Sequence, residues 1–505
     1  MNDKKQLGVG AVISYVAVVV NLVVGLFYTP WMVRQIGQSQ YGLYTLANSL
    51  ITLFLLDFGL SATTARYISN YHAAEDEQSI NNFLGIVYKF YIIVDFVVFV
   101  VLTIIYFFID KIYVKLTPEE LRQFKVVYII AASFNVVNLP FVTLNGILTA
   151  YEKFIQLKLA DLIYRVLLVG LTIVALSFGL GLYALVAIQV ICGLIIIVYK
   201  MIVIKLTTPI KVNFKYRDKQ LSVNIILFSF WVMISTIAQR LIFNITPTIL
   251  GVVANSAAIA IFGIVTTIEA NTYVITTAIN GMFMPRISRA YASGNDINEE
   301  LMPLMINVGR FQFSLNGLIF VCFALVGQSF ISLWVGNDYS VAYYCILLVV
   351  FPGMFFNSLQ VANTAMTVKN KVKLQAIIAV IYGSVNVILS FILSKVYGVI
   401  GACISICVAY FLRAILYHII HIKVMKFNIK KFIIKCYLRM SPVIIITFGL
   451  GLVLNYFIAN GGWGRLLLKC IIIVGFYLLI LPYLGLSKTE RKRFFIKFKS
   501  KFRKN

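Results

Sequence analysis

Residues 28–66 read YTPWMVRQIGQSQYGLYTLANSLITLFLLDFGLSATTAR. One apolar segment closes around Pro30, a short polar turn (RQIGQSQYG) follows, and a second apolar segment carries Asp57 before stopping at Arg66. Two such segments in succession read as membrane-spanning helices, because hydrocarbon offers no partner to a backbone N–H or C=O and a helix satisfies both internally. The plan returns between Pro247 and Arg286, with Glu269 as the acid inside the apolar run.

Composition extends this reading to the whole chain. Of 505 residues, 61% are hydrophobic and 12% charged, against roughly a quarter charged in soluble domains. Hydropathy places about fourteen spans, near 10–32, 42–65, 83–109, 126–148, 159–178, 182–204, 222–250, 257–283, 304–331, 342–368, 374–393, 399–420, 442–458 and 466–484. The start, MNDKKQLGVG, runs into the first span without a small-residue cleavage site and so reads as a helix that stays, not as a removed signal. The predicted division is a six-helix half over 1–204, a basic connector 205–221, a second six-helix half 222–422, a basic connector 423–439, two peripheral helices in 440–486 and a basic tail 487–505.

Charge orients these spans. A net charge of +26 would suit nucleic acid on a soluble domain, but no soluble domain here interleaves basic and aromatic residues. The basic residues concentrate in the connectors and the tail, which the positive-inside rule assigns to the cytoplasm together with both termini. The loop DKIYVKLTPEELRQFK (110–125) dissents, carrying Lys111, Lys115, Arg122 and Lys125 on the outer side. The seven cysteines are scattered without metal-type CxxC spacing and read as small membrane-core residues.

Laid on itself at an offset of about 217 to 220 residues, the chain repeats its landmarks. Thr29-Pro30 meets Thr246-Pro247, Arg66 meets Arg286, Asn138-Leu139 meets Asn357-Ser358, and Gly181-Leu182 meets Gly398-Val399. Six spans separate the copies, so both enter the membrane in the same direction. That predicts two halves related by a pseudo-two-fold axis along the membrane normal, with a translocation path between them.

A charge near the bilayer centre costs about 2.5–3.5 kcal/mol on insertion scales, so each one asks for a partner or a wet cavity. Asp161 and Arg165, four apart with the acid first, predict a structural same-face pair. Lys89, Arg310 and Arg413 lie toward cytoplasmic ends and read as snorkelling charges. Arg240 and Glu269 lie well inside their spans. Glu269, Tyr273, Thr276 and Asn280 make a polar stripe at helical spacing, as do Arg240 with Asn244, and Ser14, Asn21, Gly25 and Tyr28 on the first span. The second span offers Tyr41, Thr45, Asn48 and Thr52, with Asp57 on another face. These four spans are expected to turn toward a shared hydrated cavity, interhelical hydrogen bonding being the plainer alternative. Pro30 and Pro247 each remove a backbone hydrogen bond at matching span ends and are the expected hinges. Arg66 and Arg286, at matching cytoplasmic ends, suit phosphate. Catalysis has little to work with: His72 is in a polar loop, His418 and His421 lie at a helix end, and there is no P-loop.

On the Thr29-Pro30 pair, the IGQSQYGLY turn and the LLDFGLSATTARYIS segment, the chain resembles the polysaccharide transporters of the oligosaccharide-flippase (Wzx-like) group. That group belongs to the multidrug/oligosaccharidyl-lipid/polysaccharide (MOP) exporter superfamily, and the layout of two six-helix halves plus two helices extends the resemblance over nearly the whole chain. The resemblance implies an all-α polytopic membrane protein of MATE-like MOP fold that is not an enzyme. It implies a flippase moving an undecaprenyl-diphosphate-linked oligosaccharide repeat unit across a bacterial inner membrane by alternating access, for O-antigen, capsule or exopolysaccharide. It further implies no cofactor, membrane lipids but no nucleic acid as partners, and a polysaccharide polymerase and a chain-length regulator as possible associates. Arg66, Arg240 and Arg286 become the expected diphosphate contacts, with Asn21, Asn244, Tyr273 and Asn280 beside the substrate, and Asp57 and Glu269 candidates for H+ or Na+ coupling. By the repeat, Asp57 falls near Thr276 and Glu269 near Thr52, so the acids are not mirrored and the cavity is expected to be asymmetric. An ion-coupled drug or small-molecule antiporter of the same superfamily is the alternative, although it would call for an acidic apolar pocket where this chain has inward arginines. A membrane polysaccharide polymerase or ligase would call for a large external catalytic loop.

Overall fold

Long apolar runs with few charges leave the backbone only the helix, and helix is what the chain forms. The computed structural model describes residues 3–54, 60–277, 283–292, 297–459, 461–485 and 491, apart from the side chains at 3–23, 62, 224, 226–229, 231–232, 284–285, 292 and 297. Among these there is no strand. In chain order the helices are α1 (Asp3–Phe54), α2 (Leu60–Ala73), α3 (Glu77–Ile112), α4 (Pro118–Asn138), α5 (Thr143–Ala150), α6 (Phe154–Ser177), α7 (Leu182–Thr207), α8 (Lys219–Phe243) and α9 (Thr246–Val253). There follow α10 (Ser256–Thr277), α11 (Met284–Ala292), α12 (Ile297–Trp334), α13 (Ala342–Asn357), α14 (Gln360–Val368), α15 (Val372–Lys423), α16 (Ile429–Ile433), α17 (Arg439–Phe457) and α18 (Trp463–Ile480).

Among the described residues nine helices are long and apolar enough to cross a membrane, or eleven when two bent pairs each count as one span. The chain is a multi-pass membrane protein. Both α1 and α15 have 52 residues, about 78 Å at 1.5 Å per residue and more than twice the hydrocarbon thickness. Each turns at a glycine that takes positive φ, Gly37 at 77° and Gly398 at 55°, a region closed to most residues by their Cβ. Thus α15 carries the two expected spans 374–393 and 399–420. Its turn is tight: a Cβ at Gly401 would overlap the Leu393 carbonyl.

The breaks recur along the chain as the landmarks do. The Gly37 turn in α1 meets the Ala254 gap between α9 and α10, and the Asn138 break between α4 and α5 meets the Asn357 break between α13 and α14. The turn at Glu152 meets that at Asn370, each with positive φ, and Gly181 at the start of α7 meets Gly398. Of these, the Asn138 and Asn357 breaks fall inside expected spans, where the backbone groups they expose must be satisfied; the other pairs fall between spans.

Packing divides the chain into two units, Met1–Gly263 with Lys373–Ala402, and Ile264–Val372 with Cys403–Asn505. In the first, α1 packs on α4 and α6, α6 on α7, and α2 on α5. Its helices approach closely at glycines: a Cβ at Gly42 would overlap the Ser256 carbonyl, and one at Gly263 would sit 2.6 Å from Thr45 Oγ1. In the 110–125 loop that runs against the charge rule, one cation has an acid partner and one acid caps a helix. Lys125 pairs with Asp110 at 2.6 Å, while Glu120 closes a capping box with Thr117 and accepts from the Ser39 and Ser256 hydroxyls. In the second unit α12 packs on α13, α17 and α18, with Val321, Leu325 and Val326 meeting Leu466 and Ile473.

Gly42→Ala is therefore expected to destabilise the protein by about 1–3 kcal/mol through overpacking. Gly449→Ala in α17, where a Cβ meets nothing within 4 Å, should be neutral. The check is the fraction remaining monodisperse in detergent after a heating series. Equal losses in the two variants would show that the approach at Gly42 is not close.

Candidate functional site

In the second unit a charged and aromatic cluster forms between helices far apart in sequence. Glu269 and Tyr273 lie one turn apart on α10, and Tyr410 and Arg413 lie three apart on α15 beyond its glycine turn, a spacing that shares one helix side. Tyr410 Oη donates to Glu269 Oε1 at 3.4 Å. The Arg413 guanidinium carbon lies 3.3 Å from the centre of the Phe356 ring, and its charge acts on both Glu269 and Tyr273. Stacking on a ring fixes the plane of the guanidinium and so the direction of its N–H fork. Phe356 is held in turn by the 52° bend between α13 and α14, where Ser358 Oγ donates to the Phe355 carbonyl at 2.8 Å and Tyr437 Oη donates to it at 3.0 Å. Glu269 is half-buried and Tyr273 is 42% exposed. The arrangement thus offers a carboxylate, two phenols and a cation at one accessible place. It can accept a hydroxyl donor at Glu269 and an anion at Arg413.

Sequence reasoning missed two of these residues. Arg413 reads as a snorkelling charge and Tyr410 as one aromatic among many, yet the structure brings both to Glu269. The available signal was their shared helix side; nothing in the sequence says which helix that side meets.

In the first unit, Arg240 is half-buried in the last turn of α8, with Asn244 capping it. The last four carbonyls of a helix lack intrahelical partners, and Pro247, in the first turn of α9, brings no N–H to the break. Other groups take their place: the Asn244 N–H bonds to the Arg240 carbonyl at 3.0 Å, Thr246 Oγ1 to that of Ile242 at 2.6 Å, and Asn386 Nδ2 to those of Leu241 at 2.9 Å and Ile242 at 3.3 Å. The chain bends by 44° here, as expected at Pro247. At Pro30, by contrast, α1 runs on and turns at Gly37, because proline's fixed φ fits a helix whereas a φ of 77° does not.

The other expected site residues separate. Asp161 pairs with Lys158 at 3.4 Å, both side chains substantially exposed, rather than with Arg165, which instead acts electrostatically on Tyr28, Tyr44 and Tyr164. Of the second-span stripe, Tyr41 is buried, Thr45 lies against Gly263, and Asn48 accepts from Gln189 Nε2 at 2.9 Å. That face serves helix packing rather than a hydrated cavity. Arg66 and Arg286 are both exposed. Arg286 rides on α11, whose Tyr291 ring carries Lys369 Nζ at 5.9 Å; burial pushes the Tyr291 hydroxyl up to about 12, so it stays a neutral donor. Asp57 and Asn280 lie outside the described residues, as does the side chain of Asn21 on α1. Among the described residues no three His, Cys, Asp or Glu side chains are placed to hold a metal.

A family model described as "Polysaccharide biosynthesis protein" matches residues 7–291. The chain belongs to the polysaccharide biosynthesis protein family. No curated protein matches it in sequence. Among solved structures it is similar to the lipid II flippase MurJ, at 13% identity and a TM-score of 0.71, covering 94% of this chain and 97% of that one. It is similar also to a multidrug resistance MATE family transporter of the MOP superfamily (13% identity, TM-score 0.63, 80% and 96% covered). A Vibrio cholerae MATE transporter gives 12% identity and a TM-score of 0.58, with 84% and 97% covered. These likenesses establish the fold as that of the MOP superfamily, as the motifs imply. Within this family member the matched region contains Glu269, whereas Tyr410 and Arg413 lie beyond it, so the cluster is completed by the rest of the chain.

If Arg413 and Glu269 act as a pair, Glu269→Gln and Arg413→Gln should not add. A coupling energy of roughly 0.5–3 kcal/mol is expected, read as detergent thermal stability across the double-mutant cycle. Strict additivity would place the two groups in separate environments.

Proposed function

We propose that this protein is a flippase that carries undecaprenyl-diphosphate-linked oligosaccharide repeat units across the bacterial inner membrane by alternating access between its two six-helix halves, 1–204 and 222–422. The supporting observation is the Glu269–Tyr410–Arg413 cluster, a half-buried cation and sugar-binding chemistry side by side, in a multi-pass member of a polysaccharide biosynthesis family. The fold shared with a protein described as a lipid II flippase supports a lipid-linked cargo. Arg413 joins Arg240, Arg66 and Arg286 as a proposed contact for the diphosphate, and Glu269 with the Tyr273 and Tyr410 hydroxyls takes sugar hydroxyls. A proton or Na+ arriving at Glu269 would compete with Arg413 for the carboxylate, which gives ion coupling a physical route. Both termini are proposed to be cytoplasmic, with a polymerase and chain-length regulator downstream. A cationic-drug antiporter fits less well, since Arg413 beside the acid repels such cargo.

The test is complementation of a strain lacking this protein. Arg413→Gln and Arg240→Gln, present in the membrane at normal levels, should each lower surface polysaccharide about tenfold, the loss of one charge-assisted hydrogen bond being worth ~1.5–3 kcal/mol. Lipid-linked repeat units should accumulate on the inner leaflet. Normal surface polysaccharide in both variants would sink the assignment of these arginines, and an unchanged leaflet distribution in the deletion strain would sink the flippase reading itself.

A further inference from the structure

The geometry points to a second anion site, a phosphate-recognising pocket between α12 and the start of the penultimate span. Four cations, Arg310, Lys431, Lys435 and Arg439, line one cavity of about 230 Å³, and among the described residues that line it none is acidic. That volume has room for a phosphate or diphosphate group with its ester oxygens. Arg310 forms the closed end. It is 8% exposed, and its Nη2 donates to Asn307 Oδ1 at 2.9 Å. Lys431 and Lys435 are exposed at the open end.

Backbone geometry assembles the group. Lys431, Lys435 and Arg439 are spaced four apart, and each such step overshoots an α-helical turn by about 40°. A regular helix would carry Arg439 well off the face of Lys431. Between them the chain makes a π-helical turn, Ile434–Leu438, whose wider i→i+5 closure takes back that drift, and all three side chains reach the same cavity. The opposite side of the segment is pinned. Phe432 and Cys436 are fully buried, Phe432 lies over Gly309 where a Cβ would sit 2.8 Å from its ring, and Tyr437 Oη donates to the Phe355 carbonyl at 3.0 Å. The cationic face is therefore presented by a rigid element. Four like charges around one small space repel one another, and an anion with several oxygens offsets that repulsion while accepting from more than one of them. The pocket lies in the basic connector that charge assigns to the cytoplasmic side, where phosphate head groups of acidic lipids concentrate. The chemistry recognised is a phosphodiester or diphosphate; its source is an acidic phospholipid of the inner leaflet, the head group of a lipid-linked substrate, or free diphosphate.

Native mass spectrometry of the full chain in detergent separates these sources, with phosphatidylglycerol, phosphatidylcholine, undecaprenyl diphosphate and inorganic diphosphate as the probes. Lys431→Gln/Lys435→Gln should weaken retention of the responsible probe on the order of twentyfold, at about fivefold for each surface cation, and Lys431→Arg/Lys435→Arg should retain it. Phosphatidylcholine should not discriminate between the proteins. Loss confined to phosphatidylglycerol assigns the pocket to membrane lipid, and loss confined to undecaprenyl diphosphate assigns it to substrate. Displacement of either lipid by inorganic diphosphate shows recognition of the phosphate alone. Equal retention of all anionic probes by wild type and the Gln variant overturns the proposal, provided both proteins elute as the same monodisperse species. Only the undecaprenyl arm rests on the flippase reading. Binding is measured without transport, so a failure here leaves that reading to its own cellular test.

Discussion

Hydrocarbon gives a backbone carbonyl no partner outside the chain, and each place where a helix stops inside the membrane has to be repaired by a side chain. At the end of α8 the repair comes from Thr246 and Asn386, which bond to the carbonyls of Leu241 and Ile242 around the 44° bend. Between α13 and α14 it comes from Ser358 and Tyr437, both bonded to the Phe355 carbonyl. The second repair also has a functional consequence. It holds Phe356, on which the Arg413 guanidinium stacks, and Tyr437 belongs to the π-helical turn that gathers Lys431, Lys435 and Arg439. One broken helix thus supports both the Glu269 cluster and the basic pocket.

The charges sort by how far their side chains are buried. Asp161 and Lys158 are substantially exposed at the start of α6. Lys125 and Asp110, paired across the loop after α3, are likewise accessible. Half-buried Glu269, by contrast, shares its surroundings with Tyr410 and Arg413, where an interaction is stronger and removing one partner costs more. Arg310, buried at the closed end of a cationic cavity, belongs with this second group, although its sequence position suggests only an end-of-span anchor.

What was readable in the chain followed from local physics. Length and hydropathy determined helices and a membrane, and the Gly37, Asn138 and Pro247 landmarks with their repeats anticipated breaks, although Pro30, Pro303, Pro352 and Pro442 lie inside helices that run on. The polar turn RQIGQSQYG placed the turning point of α1, which falls at its Gly37 and not at Pro30. The family follows from the Tyr28–Arg66 stretch and the region matched through residue 291.

The partners of the charged residues were not readable. Sequence periodicity predicts that Tyr410 and Arg413 share a helix side, that Glu269 and Tyr273 share another, and that Asp161 can reach both Lys158 and Arg165, but it carries no information on which sides meet. The same holds for Tyr41, Thr45 and Asn48, a polar stripe that looks like a cavity wall and is taken up by packing and by Gln189. By itself, then, the sequence determined an all-helical membrane protein of this family, since hydrophobic length and backbone hydrogen bonding act within a segment. Tertiary structure alone decided that Tyr410 meets Glu269 within reach of the Arg413 charge and that four cations share one pocket, since those choices depend on close packing between helices distant along the chain.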